Sequence, residues 1–178
     1  MARVPLLQEQ DHPELAEVMQ KYSAGRRGRL LNLYRALLHS PPLAESWFNH
    51  SNAVRWKTTL SGRLREIVII RLAHLAKSQY ALRQHVPSLA LPEGLTLEEC
   101  NALADWPTGK SFSGPERAAL AYADAMTRDI QVPDAVFAEV TKHFDARATV
   151  ELTVLIGSYN MHARVLEALQ LDLEPPMS

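Results

Sequence analysis

The sequence predicts an all-α fold, a bundle of helices formed by a single domain over residues 1–178. Apolar residues recur at helical spacing along most of the chain, and no stretch shows the apolar–polar alternation of a half-buried strand. Proline and glycine fall between these apolar segments, where they mark helix ends and turns. The 178 residues, 47% of them hydrophobic, suffice for one substantial core.

Three helices are predicted in the N-terminal part of the chain. The first begins at Pro13 and runs to about residue 22, and the link that follows, residues 23–28, is rich in glycine and small residues. We therefore expect residues 1–29 to form a helical extension ahead of the main bundle. The second and third helices are expected at about residues 30–39 and 42–59.

Capping residues predict where the later helices begin, because a helix N-terminus favours a side-chain oxygen that accepts from a free backbone N–H. Ser61 is expected to cap a core helix and Ser78 a helix over residues 79–90. The remaining helices are expected to begin at Thr96, at the Ser113–Glu116 segment, at Pro133 and after Asp145. Gly157 lies inside the last helix, where close packing against a neighbouring helix should offset its cost of about 1 kcal/mol.

One carboxylate interrupts the otherwise apolar core helix. The apolar residues point in almost every direction around its axis, which is typical of a helix buried on all sides. They are Leu64, Ile67, Val68, Ile69, Ile70, Leu72, Ala73, Leu75 and Ala76. Glu66 shares a side with Ile69 and Ala73, and burying a carboxylate alone costs several kcal/mol, so Glu66 needs a proton or a partner. The partner in an ordinary structural ion pair would be one of four cations, Arg63, Arg65, Arg71 or Lys77.

A histidine follows at a spacing that suggests a site. Ser78, Ala81 and His85 stand at relative positions 0, 3 and 7, so they align along one stripe over two helical turns. The two small side chains leave room for a ligand beside the imidazole. The alternative is that His85 is an ordinary packing residue.

Four segments of the chain form a recognisable series. They are residues 64–73 (LREIVIIRLA), the Tyr80-to-His85 spacing, residues 94–96 (GLT) and residues 151–161 (ELTVLIGSYNM). In order and separation they resemble the carboxymuconolactone decarboxylase and alkylhydroperoxidase D-like superfamily over about residues 30–174. The resemblance implies a multi-helix alkylhydroperoxidase D-like bundle. It also implies a homo-oligomer, a trimer or a multiple of it, in which neighbouring subunits close the pocket.

The same resemblance carries site residues over by position. In the peroxidase branch, a Cys-x-x-Cys pair and a histidine perform the redox chemistry, assisted by a glutamate on the preceding helix. Glu66 matches that glutamate and His85 that histidine, whereas Ser78 and Ala81 stand at the two cysteine positions. Neither replacement can form the sulfenic acid or the disulfide that thiol peroxidases need. A dithiol peroxidase is therefore disfavoured, and the lone Cys100 is expected to be an inert apolar residue.

The decarboxylase branch implies an acid–base enzyme that needs no cofactor. Its usual target is a lactone carboxylate from aromatic catabolism, which loses carbon dioxide while a side chain delivers a proton. We therefore predict a lyase of the decarboxylase type in which His85 transfers the proton. Glu66 is expected to orient His85 and raise its basicity, and Tyr80 to donate a hydrogen bond to a substrate oxygen. For Tyr80 the alternative is a plain packing role.

A substrate carboxylate also needs a cation. Arg83 and Lys77 lie nearest in the sequence and are the predicted substrate-binding residues, together with Ser78. Arg71 and Arg55 are alternatives that would have to approach in three dimensions. A guanidinium holds a carboxylate through two parallel hydrogen bonds, which favours arginine.

Composition and charge exclude several classes of function. A net charge of -1 with mixed signs gives no reason to propose nucleic acid or a membrane surface as a partner. One cysteine excludes an internal disulfide framework, and with an N-terminus that lacks an apolar signal core it predicts a cytoplasmic protein. There is no phosphate-binding glycine loop, dinucleotide fingerprint or zinc-type ligand spacing, so we expect neither a cofactor nor a metal.

Two other functions stay open beside the acid–base enzyme. One is an alkylhydroperoxidase-like oxidoreductase that uses Cys100. The other is a non-catalytic binding or scaffold relative, which full pairing of Glu66 with arginine would favour. Trp47, Phe48 and Trp56 on the third helix are either anchors of a subunit interface or core residues of the chain.

Overall fold

The computed structural model describes residues 1–26 and 28–174, and within them no β-strand occurs, which confirms the all-α class. The nine α-helices of the described residues are α1 (Ala16–Ala24), α2 (Asn32–Leu37), α3 (Pro41–Trp56), α4 (Gly62–Leu75), α5 (Gln79–His85), α6 (Leu97–Ala102), α7 (Gly114–Arg128), α8 (Asp134–His143) and α9 (Ala146–Leu169). Shorter 3₁₀ or π turns are Glu9–Asp11, Pro13–Leu15, Val86–Ala90 and Leu103–Thr108. Among the described helices, none combines the length and the apolar character that a bilayer-spanning segment requires.

Three predicted caps start the helices that shape the central part of the chain. The Ser61 hydroxyl accepts a hydrogen bond of 3.2 Å from a backbone N–H in the first turn of α4. Ser113 and Glu116 form a reciprocal capping box at α7, with the Ser113 N–H donating to the carboxylate at 2.8 Å. Asp145 Oδ1 accepts from the Ala148 N–H at 2.8 Å, which starts α9.

The N-terminal helix, predicted from Pro13 to about residue 22, runs from Ala16 to Ala24 and so ends inside the predicted link. It begins at Ala16 because Pro13–Leu15 form a 3₁₀ turn instead of a regular helical turn. Proline suits the first position of such a turn, since its φ is fixed and it has no N–H to donate. Arg27, within the predicted link over residues 23–28, lies outside the described residues, as do residues 175–178.

The predicted helix over residues 79–90 is regular only as far as His85. It continues as the π turn Val86–Ala90, because Pro87 has no N–H for the normal hydrogen-bond ladder. At its other end, Ser78 takes the N-cap position but makes no capping hydrogen bond, so the expected cap is wrong.

The structure divides into two compact units. The first, here called the terminal unit, comprises Met1–Asn52 and the segment from Leu166 onward. The second, the central unit, comprises Ala53–Val165. The single domain over residues 1–178 and the extension over residues 1–29 stay predictions.

Aromatic rings dominate the core of the terminal unit. Tyr22 stacks on Phe48 with ring centroids 4.5 Å apart, and Tyr34 lies 5.1 Å from Tyr22. Such pairs add to the stability gained from burial alone. Trp47 packs against the same cluster. Phe48 and Trp47 therefore contribute to the core of the chain.

Helix α4 is the centre of the central unit. Ten consecutive residues, from Leu64 to Ala73, are buried. Val68 belongs to a cluster with apolar residues of α7, α8 and α9, whereas Ile67 packs in a second cluster that includes residues of α6 and the turn after it. The prediction of a helix buried on all sides is therefore confirmed. A charged group on α4 must find its partners inside the protein.

Gly157 does not have the neighbour that its helical position predicts. It is exposed on α9, and a Cβ at this position would meet no described atom within 4 Å. The expectation of close packing at Gly157 is therefore wrong within the described part of the chain.

Candidate active site

Glu66 and His85 meet inside the central unit. His85 Nδ1 lies 2.7 Å from Glu66 Oε2. Glu66 is 0% exposed and His85 7% exposed. Helix α4 supplies the glutamate, and the histidine is the last residue of α5. The two residues that the sequence singled out therefore form a buried hydrogen-bonded pair.

This contact fixes the tautomer of the imidazole. An ionised carboxylate can only accept, so we assign the hydrogen to Nδ1, which donates to Glu66. In a neutral ring, Nε2 then holds the lone pair that can take a proton. Over residues 1–26 and 28–174, the structure records no second hydrogen bond to the His85 ring. Nε2 is therefore the atom through which His85 would exchange a proton.

Burial sets the charge states of the pair. It lowers the pKa of His85, and the nearby Arg55 and Arg65 lower it further, whereas Glu66 opposes them. Glu66 raises the pKa of His85, as expected, but burial and the two arginines outweigh it, so the net shift of the His85 pKa is downward. Burial alone would raise the pKa of Glu66, but His85 and the two arginines outweigh burial and lower it. At neutral pH the pair therefore consists of an ionised glutamate and a neutral histidine.

Two buried arginines flank the other oxygen of Glu66. Oε1 lies 3.5 Å from Arg65 Nε and 3.7 Å from Arg55 Nη2. Neither contact is a hydrogen bond, and among the described residues these three atoms have no hydrogen-bond partner. Arg55 is only 9% exposed and Arg65 only 5%. Glu66 is thus charge-compensated at Oε1 and hydrogen-bonded only at Oε2.

The other expected ion-pair partners of Glu66 lie elsewhere. Arg63 and Arg71 form ion pairs with other carboxylates. Lys77 is exposed in the turn between α4 and α5, where its φ is 55°. Of the four cations named from the sequence, only Arg65 reaches Glu66. Arg55, named there as a cation that would have to approach in three dimensions, does so.

Trp56 lies against both guanidiniums. The Arg55 and Arg65 Cζ atoms are 4.8 and 5.1 Å from its ring centroid, within the range of a cation–π contact. Trp56 is 56% exposed, so it reaches the surface, unlike the two aromatic residues that join the terminal core. Sequence reasoning missed this arrangement, because nothing in residue spacing links α3 to α4 at this point.

Ser78 and Tyr80 are both buried around the start of α5. Ser78 is 0% exposed, and its hydroxyl has no hydrogen-bond partner among the described residues. Tyr80 is 7% exposed. Tyr159 of α9 stands edge-on to the His85 ring, with centroids 5.4 Å apart and planes at 81°. Sequence reasoning missed this neighbour of His85, although Tyr159 lies in the segment of residues 151–161 that carries the resemblance.

The predicted substrate-binding cations lie at the surface. Arg83 and Lys77 are exposed, and no contact joins either of them to Glu66 or His85 in the described part of the chain. Their part in substrate binding stays a prediction.

Cys100 is enclosed in the second core cluster of the central unit. It is 1% exposed, and burial raises the pKa of its thiol, so the reactive thiolate is scarce at neutral pH. This agrees with the expectation of an inert residue. Within the described residues, no group of three or more His, Cys, Asp or Glu side chains is placed to hold a metal ion.

Comparison with known sequences gives a matching family profile and a relative of moderate identity. The profile of the carboxymuconolactone decarboxylase family matches residues 41–125, which include both members of the Glu66–His85 pair. YnjA, an uncharacterized protein of Escherichia coli K12, is 33% identical over 122 residues. That match spans 67% of this chain and 66% of YnjA, just under two thirds of its length.

Solved structures share the fold over nearly the whole chain. A peroxidase-related protein from Silicibacter sp. TM1040 superposes with a TM-score of 0.84 at 18% identity, covering 97% of this chain and 92% of that chain. A variant of the debrominase Bmp8 in complex with 2,3,4-tribromopyrrole gives a TM-score of 0.80 at 20% identity, with 98% and 94% covered. At such identities the likeness shows the fold alone. Over residues 41–125, the profile match makes this chain similar to the carboxymuconolactone decarboxylase family.

Proposed function

We propose that the protein is a cofactor-independent acid–base enzyme that acts on a small carboxylate or lactone, of the kind that aromatic catabolism produces. The observation that carries this proposal is the buried 2.7 Å contact between His85 Nδ1 and Glu66. It leaves Nε2 to transfer a proton, with a carboxylate on the opposite side of the ring. The proposal includes a cytoplasmic location and assembly as a trimer or a multiple of it.

Neutral His85 begins the reaction as a base. Nε2 takes a proton from a carbon beside a carbonyl, and the electron pair of the broken C–H bond moves into that carbonyl. Ionised Glu66 stabilises the imidazolium that forms. Return of the proton to another carbon of the same intermediate isomerises the substrate.

Decarboxylation uses the same groups in a different order. His85 first takes a proton from solvent. The bond between the substrate carbon and its carboxylate breaks, carbon dioxide leaves, and the electron pair stays on the carbon as an enolate. The imidazolium then delivers its proton to that carbon, so one proton is consumed for each carbon dioxide released.

The remaining site residues are proposed to bind and polarise the substrate. Tyr80 would donate a hydrogen bond to the oxygen that gains negative charge. Ser78, Arg83 and Lys77 are the sequence-based candidates for binding the rest of the molecule. The replacement of both peroxidase cysteines, by Ser78 and Ala81, together with the burial of Cys100, supports acid–base over thiol chemistry.

The test compares wild-type protein with His85→Gln on a panel of aromatic-derived lactones and β-keto acids. We expect turnover of at least one compound by the wild type and a loss of about 10²- to 10⁴-fold in the variant, the usual contribution of a positioned acid–base group. Glu66→Gln keeps the shape of the side chain and should lower turnover by about 10- to 100-fold. His143→Gln, at an exposed position of α8, is the control and should behave as wild type.

Two results would contradict the proposal. If His85→Gln turns over the same compound at the wild-type rate, His85 is not the proton-transfer group. If folded wild-type protein converts nothing on the panel but binds the compounds, the non-catalytic relative is favoured. Thermal denaturation of each variant separates loss of folding from loss of chemistry.

A further inference from the structure

Arg55 is a buried guanidinium that makes no hydrogen bond to any described residue. Its side chain is 10% exposed, and neither Nε nor Nη2 has a hydrogen-bond partner among the described residues. Its recorded contacts are the 3.7 Å ion pair to Glu66 Oε1 and the face of Trp56 at 4.8 Å. Arg65 differs, because its Nη2 donates to Glu93 at 3.1 Å.

Such a group needs an explanation. A guanidinium carries five N–H donors in a rigid fork, and burying donors without acceptors is unfavourable. Neutralising Glu66 does not account for it, since Arg65 already lies 3.5 Å from the same oxygen and His85 bonds the other. Glu66 compensates the positive charge of Arg55, whereas Nε and Nη2 of Arg55 have no hydrogen-bond acceptor among the described residues. A carboxylate, with two parallel oxygens, is an acceptor that suits this geometry.

We propose that Arg55 binds the carboxylate of the substrate through two parallel hydrogen bonds and so determines the specificity of the site. The assignment rests on the proposed function, and it replaces the surface cations Arg83 and Lys77 in the binding role. Only the carboxyl group of Glu66 separates the Arg55 guanidinium from the His85 imidazole. Arg55 and His85 contact the two oxygens of the same carboxylate, so an acid held by Arg55 would bind beside the Glu66–His85 pair. Trp56 is exposed and lies against the Arg55 guanidinium, so it links that buried group to the surface.

The alternative is that Arg55 is only a counter-ion for Glu66. Lysine in its place would keep the positive charge but lose the fork, so Arg55→Lys separates the two roles. If Arg55 is only a counter-ion, Arg55→Lys keeps the positive charge beside Glu66, and ligand binding should be unchanged. If Arg55 instead binds the ligand carboxylate through two hydrogen bonds, Arg55→Lys should bind the ligand more weakly while the fold stays intact.

The experiment titrates the full-length protein with two probes, muconolactone, a lactone with one carboxylate, and its methyl ester. Isothermal calorimetry measures affinity, and side-chain ¹H–¹⁵N NMR follows the arginine Nε–H signals, assigned by substitution. We expect the acid to move the Arg55 signal and to bind at least about tenfold more tightly than the ester, because only the acid offers two charged acceptors. Arg55→Lys should lose about tenfold in affinity for the acid and none for the ester.

Two further variants test which arginine binds the carboxylate. Arg83→Gln tests the surface cation predicted from the sequence, and Arg128→Gln, 58% exposed on α7, is the neutral control. Equal affinity of wild type for acid and ester overturns the proposal. So does an unmoved Arg55 signal, or weakening by Arg83→Gln without weakening by Arg55→Lys. The NMR arm uses wild-type protein, so a variant that misfolds does not remove the test.

Failure of this inference and failure of the proposed function are distinguishable. If His85→Gln binds the acid as wild type does and wild type does not convert it, the arginine site stands and the enzymatic role falls. If wild type converts a compound and His85→Gln does not, while Arg55→Lys leaves its KM unchanged, the enzymatic role stands and the arginine site falls.

Discussion

Two buried charge clusters lie along α4, and they differ in how completely their hydrogen bonds are satisfied. Arg71 donates to both oxygens of Asp124 at 2.6 and 2.7 Å and to the carbonyls of Leu103 and Ala104. All three nitrogens of this guanidinium are bonded. The cluster around Glu66, which lies five residues before Arg71 on the same helix, leaves Glu66 Oε1, Arg65 Nε and two nitrogens of Arg55 without a hydrogen bond among the described residues.

The difference separates a structural cluster from a candidate functional one. A fully bonded buried ion pair fixes the position of the helices that it joins and has no capacity left for a ligand. A buried cluster that is compensated in charge but short of hydrogen-bond partners keeps donors and acceptors for another molecule. Charge alone would not distinguish Arg71 from Arg55, since both are buried cations beside a carboxylate.

The largest expected effect on stability comes from breaking the satisfied cluster. Arg71→Leu leaves Asp124 and two carbonyl oxygens without their donor, and we expect the free energy of unfolding to fall by about 3–5 kcal/mol. Arg55→Leu removes no hydrogen bond, and Glu66 keeps His85 and Arg65 as partners, so its loss should be less than half as large. Urea unfolding followed by circular dichroism measures both.

An equal decrease in the free energy of unfolding of Arg71→Leu and Arg55→Leu would contradict this distinction between the two clusters. That result would mean that Arg55 contributes as much to the fold as Arg71 does. It would identify the cluster around Glu66 as a structural network despite its long contacts.

A smaller effect is the pH dependence of stability. The folded pKa of His85 lies below its ordinary value of 6.5, so on acidification the unfolded chain binds a proton before the folded chain does. The stability contributed by neutral His85 is therefore present above 6.5 and is lost as the pH falls through the folded pKa. Glu66, whose pKa is also lowered, adds a loss of the same sign below 4.5.

Unfolding free energies measured between neutral and mildly acidic pH check this. The free energy of unfolding of wild type and of His143→Gln should fall on acidification. In His85→Gln, the part of this decrease that begins just below pH 6.5 should be absent. A wild-type protein that gains stability over the same interval would show that the His85 pKa is raised instead. The effect of Glu66 on the His85 pKa would then outweigh that of burial.

The sequence predicts much of the fold because caps and apolar periodicity are local signals. Ser61, Ser113 and Asp145 cap their helices as expected, and the unbroken apolar surface of α4 predicts its burial. The predicted end of α5 is wrong because Pro87 changes the hydrogen-bond ladder without ending the turn. The packing expected at Gly157 is wrong because helix periodicity shows which residues share a face and not what covers it.

The sequence also predicts the Glu66–His85 pair but not its surroundings. The pair follows from motif positions on two consecutive helices. The approach of Arg55 and Trp56 depends on how residues 53–56, the end of α3, pack against α4, and the edge-on ring of Tyr159 comes from α9. Sequence proximity therefore favoured Arg83 and Lys77, which the fold leaves at the surface. It also indicated the effect of Glu66 on the His85 pKa but not the larger, opposite effect of burial, since the depth of burial is a property of the packed structure.

The smallest effect compares two serines that occupy the same position in successive helices. Ser61→Ala removes a real capping hydrogen bond at α4 and should cost about 0.5–2 kcal/mol. Ser78→Ala removes a buried hydroxyl that has no partner in the described structure, so stability should be unchanged or rise by about 1 kcal/mol. Urea unfolding measures both, and equal losses would show that the Ser78 hydroxyl is bonded within the folded protein. If Ser78→Ala keeps its stability but loses turnover, the hydroxyl contributes to substrate binding and not to the helix that begins beside it.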